Sequence, residues 1–179
     1  MDVLTIGHST RPIETFIEIL RAHSVQRVVD VRTMPRSRHN PQFNNDALAN
    51  SLEDAGISYT HVKELGGLRR PRPDSTNTGW RNSSFRGYAD YMQTPEFETA
   101  LRKLLALSEE EHVVIMCAEA VPWRCHRSLI ADALRVRGVP VWHIMSESKM
   151  EQHSLTTFAE VHGIEISYPP AEGPLFEKD

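Results

Sequence analysis

At 179 residues, with 40% hydrophobic and 25% charged residues, the chain has the size and composition of one ordinary globular domain. A chain this long buries a core without needing a disulfide or a metal to fold. Its formal charge of −4 excludes a general nucleic-acid coat, so any basic site must be local. The longest apolar run, residues 113–118, is far too short for a membrane span, and the first eight residues carry neither a basic region nor a leader-like apolar stretch. Together with only two cysteines, this predicts a cytoplasmic protein with reduced thiols and no membrane partner.

Short β-branched runs alternate with helical patterns from the start. Residues 3–6 read as a strand ending at Gly7, and Pro12 opens a helix whose Ile13, Phe16, Ile17 and Leu20 share one face. A second strand covers 28–31. Asn44 or Asn45 caps a helix carrying Leu48, Leu52 and Ala55, stopped by Gly56, and residues 57–61 form a third strand. Residues 62–93 lose this rhythm: Gly66, Gly67, Pro71, Pro73, Gly79 and Gly87 punctuate a long loop that runs into a helix near Tyr88. Thr94-Pro95-Glu96 starts a helix with Phe97, Leu101, Leu104 and Leu105 on one face. Residues 112–117 are the most apolar strand, followed by a helix over 125–137, a strand over 140–145, a weak helix over 149–161 and a last strand over 164–167. The stretch 169–179 reads as a loose acidic tail. Apolar strands alternating with helices predict a single three-layer α/β domain over 1–168, with a mainly parallel sheet and helices on both faces.

In such a sheet, ligands bind beyond the carboxyl ends of the strands. The polar residues crowd there: Gly7-His8-Ser9-Thr10, Asp30-Val31-Arg32 with Pro35-Arg36-Ser37-Arg38, Tyr59-Thr60-His61, and Cys117-Ala118-Glu119 ahead of Cys125-His126-Arg127. These segments, with Leu65-Gly66-Gly67 and Phe85-Arg86-Gly87-Tyr88, resemble the domain-of-unknown-function 488 family of bacterial and archaeal proteins over roughly residues 1–150. The resemblance implies one α/β domain and brings no established activity, so the chemistry rests on the residues.

Cys117 ends an apolar strand ahead of a helix, a placement that resembles the anion-cradling turn of phosphatase and rhodanese-type enzymes. Those enzymes usually place an arginine six positions after the cysteine; here Trp123 stands there and Arg124 follows. Residues 117–125 are also similar to a zinc deaminase signature, but the two segments are only three residues apart and the first cysteine of the required Pro-Cys pair is missing. Residues 63–86 hold six Lys or Arg against two carboxylates, a net +4 that leaves −8 on the remainder. Trp80, Phe85 and Tyr88 are interleaved with those cations and could stack on bases. A basic segment on an acidic body points to an anionic ligand.

The expectation is an enzyme, a hydrolase or transferase, acting on a phosphate-bearing substrate such as a nucleotide or a nucleic-acid end. Cys117 would be the nucleophile, Glu119, His126 and His8 the acid/base groups, and Ser9, Thr10, Arg32, Arg36, Arg38, Arg86, Tyr88 and Arg127 the substrate contacts, with 62–93 closing as a lid. No cofactor is required by this reading. One alternative is a redox or metal module in which Cys117, Cys125 and His126 bind a divalent metal or the two cysteines form a reversible disulfide. Another is a non-catalytic nucleic-acid-binding protein. Nothing in the sequence sets an oligomeric state.

Overall fold

The computed structural model describes residues 1–171. The alternation read from the sequence becomes β1 (Val3–Gly7), α1 (Ile13–Ala22), β2 (Arg27–Asp30), α2 (Asn45–Asp54), β3 (Ser58–His61), α3 (Ser83–Met92), α4 (Pro95–Glu110), β4 (Val113–Cys117), α5 (Arg127–Arg135), β5 (Val141–Ser146) and β6 (Lys149–Gln152). These strands form one sheet in the order β3-β2-β4-β1-β5-β6, parallel from β3 to β5, with β6 antiparallel on the β5 edge. A separate two-stranded ribbon pairs β7 (Glu160–His162) with β8 (Glu165–Ser167).

Both faces of the sheet are buried, as a parallel sheet requires. Leu4, Ile6, Val28, Val114 and Met116 pack against Phe16, Ile19 and Leu20 of α1 and Leu48 and Leu52 of α2. On the opposite face Val3, Val29, Val113, Ile115 and Cys117 meet Tyr88 of α3, Phe97, Leu101 and Leu104 of α4, and Leu129 and Ile130 of α5. The three-layer α/β architecture is therefore as the sequence implied. Among the described residues no helix is long and apolar enough to cross a membrane.

Two expectations are corrected. Residues 149–161 do not form a helix: the exposed backbone edge of β5 recruits β6 instead, and residues 160–162 pair with β8 outside the main sheet. Apolar positions there are too sparse to make a helical face, so tertiary pairing decides the outcome. The 62–93 segment is not an untethered lid. A 3₁₀ turn covers Lys63–Leu65. The buried Asp90 carboxylate then accepts from the Arg72 backbone N–H at 2.8 Å, Ser75 Oγ at 2.6 Å and Asn77 Nδ2 at 2.8 Å. Arg69 lies over the Tyr91 ring at 3.6 Å and Arg86 donates to the Trp80 carbonyl at 3.0 and 3.1 Å, so two of the expected anion-binding cations hold the segment's own fold. The tail expected from 169 lies outside the described residues beyond 171.

A buried polar chain ties the β5–β6 edge to α5. Thr5 Oγ1 donates to His143 Nδ1 at 2.6 Å, His143 Nε2 to His153 Nδ1 at 2.9 Å, and His153 Nε2 to Asp132 Oδ1 at 2.8 Å. Asp132 also accepts from Thr156 Oγ1 at 2.6 Å and Tyr168 OH at 2.8 Å. The directions follow from taking Asp132 as the terminal acceptor of the chain. Burial, helped by the neighbouring His153, lowers the His143 pKa from 6.5 to about 3. The unfolded chain therefore takes up a proton below about pH 6.5 that the folded protein refuses until far lower. Stability is expected to fall as pH drops through that window, by on the order of 1 kcal/mol per pH unit below pH 6 for this residue. Urea unfolding of wild type and His143→Gln between pH 7 and pH 4 checks this: the slope is shallower in the variant.

Candidate active site

β1 and β4 lie side by side at the centre of the sheet, yet β1 leads to α1 on one face and β4 to α5 on the other. Their following loops diverge and open a crevice, the switch-point position where open α/β sheets bind ligands. A cavity of about 700 Å³ occupies it, lined by residues from the loops after β1, β2 and β4 and from the N-terminus of α3. The two central loops nonetheless meet at the base. His8 N–H donates to the Cys117 carbonyl at 2.9 Å and Ser9 N–H to the Ala118 carbonyl at 3.0 Å, extending the β1–β4 ladder past the strands. A methyl at Gly7 would overlap the Glu119 carbonyl, so only glycine permits this approach. Ser9 holds φ at 53°, a left-handed conformation rare for serine and kept here at the mouth of the cavity.

Cys117 sits at the floor, nearly sealed. Arg127, in the first turn of α5 and only 1% exposed, donates from one NH1 to Cys117 Sγ at 2.8 Å and to the Glu119 carbonyl at 2.7 Å, and from NH2 to the Ala120 carbonyl at 3.0 Å. Its Nε is buried without an acceptor among the described residues. Burial pushes the Cys117 thiol up, but hydrogen bonds from the Cys125 thiol and the Glu119 backbone, with the charge of Arg127, bring it down from 9.0 to about 7. The hydrogen bond with Cys117, together with burial, holds Cys125 well above its ordinary range. One sulfur is thus poised as thiolate and its neighbour as thiol. The backbone N–H groups of Ala118 and Ala120, residues that both line the cavity, have no acceptor among the described residues.

Opposite stands a second buried network. Asp30 accepts from Arg32 Nε at 2.9 Å, Arg32 NH2 at 2.7 Å and Tyr59 OH at 2.7 Å, and Arg32 NH2 also reaches the Phe43 carbonyl at 2.8 Å. Arg32 NH1 approaches His8 Nε2 at 3.3 Å. Because His8 Nδ1 donates to the Ser9 carbonyl at 2.7 Å, Nε2 carries the lone pair. The ring stacks on Phe43 with centroids 4.2 Å apart. Burial, with Arg32 nearby, lowers the His8 pKa to about 4, and burial does the same for His126. Both are neutral at pH 7.

The sequence candidates His8, Ser9, Thr10, Arg32, Arg36, Cys117, Glu119, Cys125 and His126 all line the cavity. Four expected substrate contacts do not. Arg38 is exposed outside the lining. Arg86 is spent on the Trp80 carbonyl. Tyr88 is fully buried and donates to the Leu65 carbonyl at 2.8 Å. Arg127 serves Cys117 and its loop rather than a ligand. His126 donates from Nε2 to the Val31 carbonyl at 3.0 Å and turns Nδ1 to Cys125 Sγ at 3.6 Å, so its ring buttresses the second thiol. Among the described residues no three His, Cys, Asp or Glu side chains gather to hold a metal, which counts against a Cys117–Cys125–His126 metal centre. The residues missed by the sequence reading include Thr33, Met34, Asn40, Leu68, Asn82 and Ala120, contributed by irregular loops whose positions no periodicity reveals, and Ser84 in the first turn of α3.

If Arg127 holds the thiolate, iodoacetamide should label Cys117 with a rate that rises through about pH 7, whereas Arg127→Gln should move that midpoint up and slow labelling at pH 7 by about tenfold. Circular dichroism on the same variant separates loss of the charge from loss of the fold, and Arg127→Lys should recover part of the shift.

No curated protein and no solved structure matches the chain. The model of a family described as "Domain of unknown function DUF488" matches residues 12–134, which run from the start of α1 through most of α5. That span takes in Arg32, Cys117, Cys125 and Arg127, and the chain belongs to the DUF488 family.

Proposed function

We propose that the protein is an enzyme that transfers or hydrolyses a phosphoryl group, with the Cys117 thiolate as nucleophile. The observation that carries this reading is the Arg127 contact to Cys117 Sγ at 2.8 Å at the floor of a cavity bordered by Arg36 and Arg124. A thiolate at neutral pH attacks phosphorus, while unpaired backbone N–H groups and arginines offset the charge on the equatorial oxygens. The S–P bond forms as the bond to the leaving oxygen breaks, and that oxygen takes a proton from water at the open mouth. Water then cleaves the S–P bond and restores the thiolate. The Glu119 carboxylate, exposed at the rim with no hydrogen-bond or ion-pair partner among the described residues, takes the proton from that water. Neutral His8 presents Nε2 beside Arg32, and Ser9 and Thr10 bring hydroxyls to the same wall.

The test is to mix the enzyme with p-nitrophenyl phosphate, quench in acid and seek phosphocysteine at Cys117 by mass spectrometry. The expected result is a phosphorylated Cys117 peptide in wild type, accumulation in Glu119→Gln, and loss of at least a thousandfold in turnover for Cys117→Ser. Unchanged turnover in Cys117→Ser overturns the reading. One observation favours a second reading: Cys117 and Cys125 are both free thiols lining the same cavity. A peroxide would oxidise the Cys117 thiolate to a sulfenic acid, Cys125 would displace water to close a disulfide, and a dithiol would reopen it. Non-reducing mass mapping after peroxide treatment detects that bond if it forms.

A further inference from the structure

Resting on the phosphoryl-site reading above, we propose that the mouth of the cavity binds the end of a single-stranded nucleic acid, the terminal phosphate at Cys117 and the neighbouring base stacked on Trp123. Large apolar residues are exposed singly on most proteins and need no explanation. Here two of them stand at one opening, and a third is adjacent in sequence to a residue that lines it. Met34 is 69% exposed and Leu68 71%, and both line the cavity. Trp123 is 63% exposed, stands in the 3₁₀ turn Pro122–Arg124 and lies just outside the lining, next to the lining residue Arg124.

Cations accompany them. Arg36 and Arg124 line the cavity and Arg38 lies two residues beyond Arg36. Among the described residues none of the three has a carboxylate within ion-pair distance, although the chain as a whole is acidic. Unpaired arginines interspersed with an exposed indole make the surface that single strands use, the cations following the phosphates and the flat ring taking a base. Dimensions agree: a cavity of about 700 Å³ suits one mid-sized ligand such as a single nucleotide. Trp123, being outside it, is left to receive the next base along the strand. Ser37 and Asn40 in the cavity wall add hydroxyl and amide groups that can bond sugar or base edges. A lipid surface fits less well. It favours a continuous apolar face on an amphipathic element, whereas these residues come singly from three separate loops.

Fluorescence anisotropy with a 3′-fluorescein, 5′-phosphorylated hexathymidylate tests the proposal, using Cys117→Ser protein so that the strand is not consumed. Binding is expected to weaken with salt and to prefer the 5′-phosphorylated strand over the unphosphorylated one. Adding Trp123→Ala should weaken it by about tenfold or more, while Trp123→Phe retains most of the affinity. In the otherwise wild-type protein, Trp123→Ala should leave protection of Cys117 from iodoacetamide by inorganic phosphate unchanged, because Trp123 lies outside the phosphate pocket. Equal affinity with and without Trp123, or binding to phosphatidylserine vesicles but not to the hexamer, overturns the proposal. Absence of phosphate protection with Trp123-dependent strand binding intact overturns the phosphoryl-site reading and leaves the strand-binding surface standing.

Discussion

The Arg127 guanidinium beneath Cys117 is the interaction on which the site depends. A cation this deeply buried needs compensation, and it finds it in one sulfur and two backbone carbonyls. The same three bonds fix the thiol's charge state, the path of residues 118–120 and the distance of α5 from the end of β4. Through the Ser9–Ala118 and His8–Cys117 backbone bonds that path is passed on to the β1 loop, and with it to His8. Removing Arg127 would therefore disturb chemistry and architecture together.

Three buried carboxylates frame this centre, and each is saturated with donors. Asp30 orders Arg32 and Tyr59 at the β2 end, Asp90 gathers the 72–77 turn, and Asp132 terminates the histidine chain that anchors the β5–β6 edge. Such groups are costly to bury and are retained where several donors converge on them. Their common effect is to specify loop positions that hydrophobic packing alone leaves loosely defined. The basic character of residues 63–86 is absorbed in the same way. Arg69 and Arg86 are directed inward on carbonyls and an aromatic ring, so the segment's net charge is a poor guide to where an anion would sit. The cations at the cavity without a carboxylate partner are Arg36 and Arg124 instead, from the loops after β2 and β4.

Strain and close approach mark the same location. Gly7 lets two loops touch and Ser9 holds a left-handed turn at the rim. Phe43, brought in by the turn ahead of α2, stacks on His8 and receives Arg32 on its carbonyl. These features make a cavity whose walls are held by hydrogen bonds before any ligand arrives, the preorganisation that electrostatic stabilisation of a transition state requires.

The amino-acid sequence by itself determined the fold class, because periods of two and of 3.6 residues in apolar side chains leave little choice once a core must be buried on both faces of a sheet. It also pointed to the edge where the cavity lies, since Gly7–Thr10, Asp30–Arg32 and Cys117–Glu119 each stand at or after a strand's end and parallel strands deliver their carboxyl ends to one edge. The tertiary structure alone decided which of those residues are available. Whether an arginine meets a ligand, a sulfur or a backbone carbonyl depends on the few ångströms between loops distant in sequence, and Arg127, Arg86 and Tyr88 were claimed by the protein itself. The same holds for 149–161, where weak local preference gave way to an unpaired strand edge. It holds again for Met34 and Leu68, whose shared position at one opening has no signature in their spacing. Local pattern sets the elements; long-range geometry sets the partners.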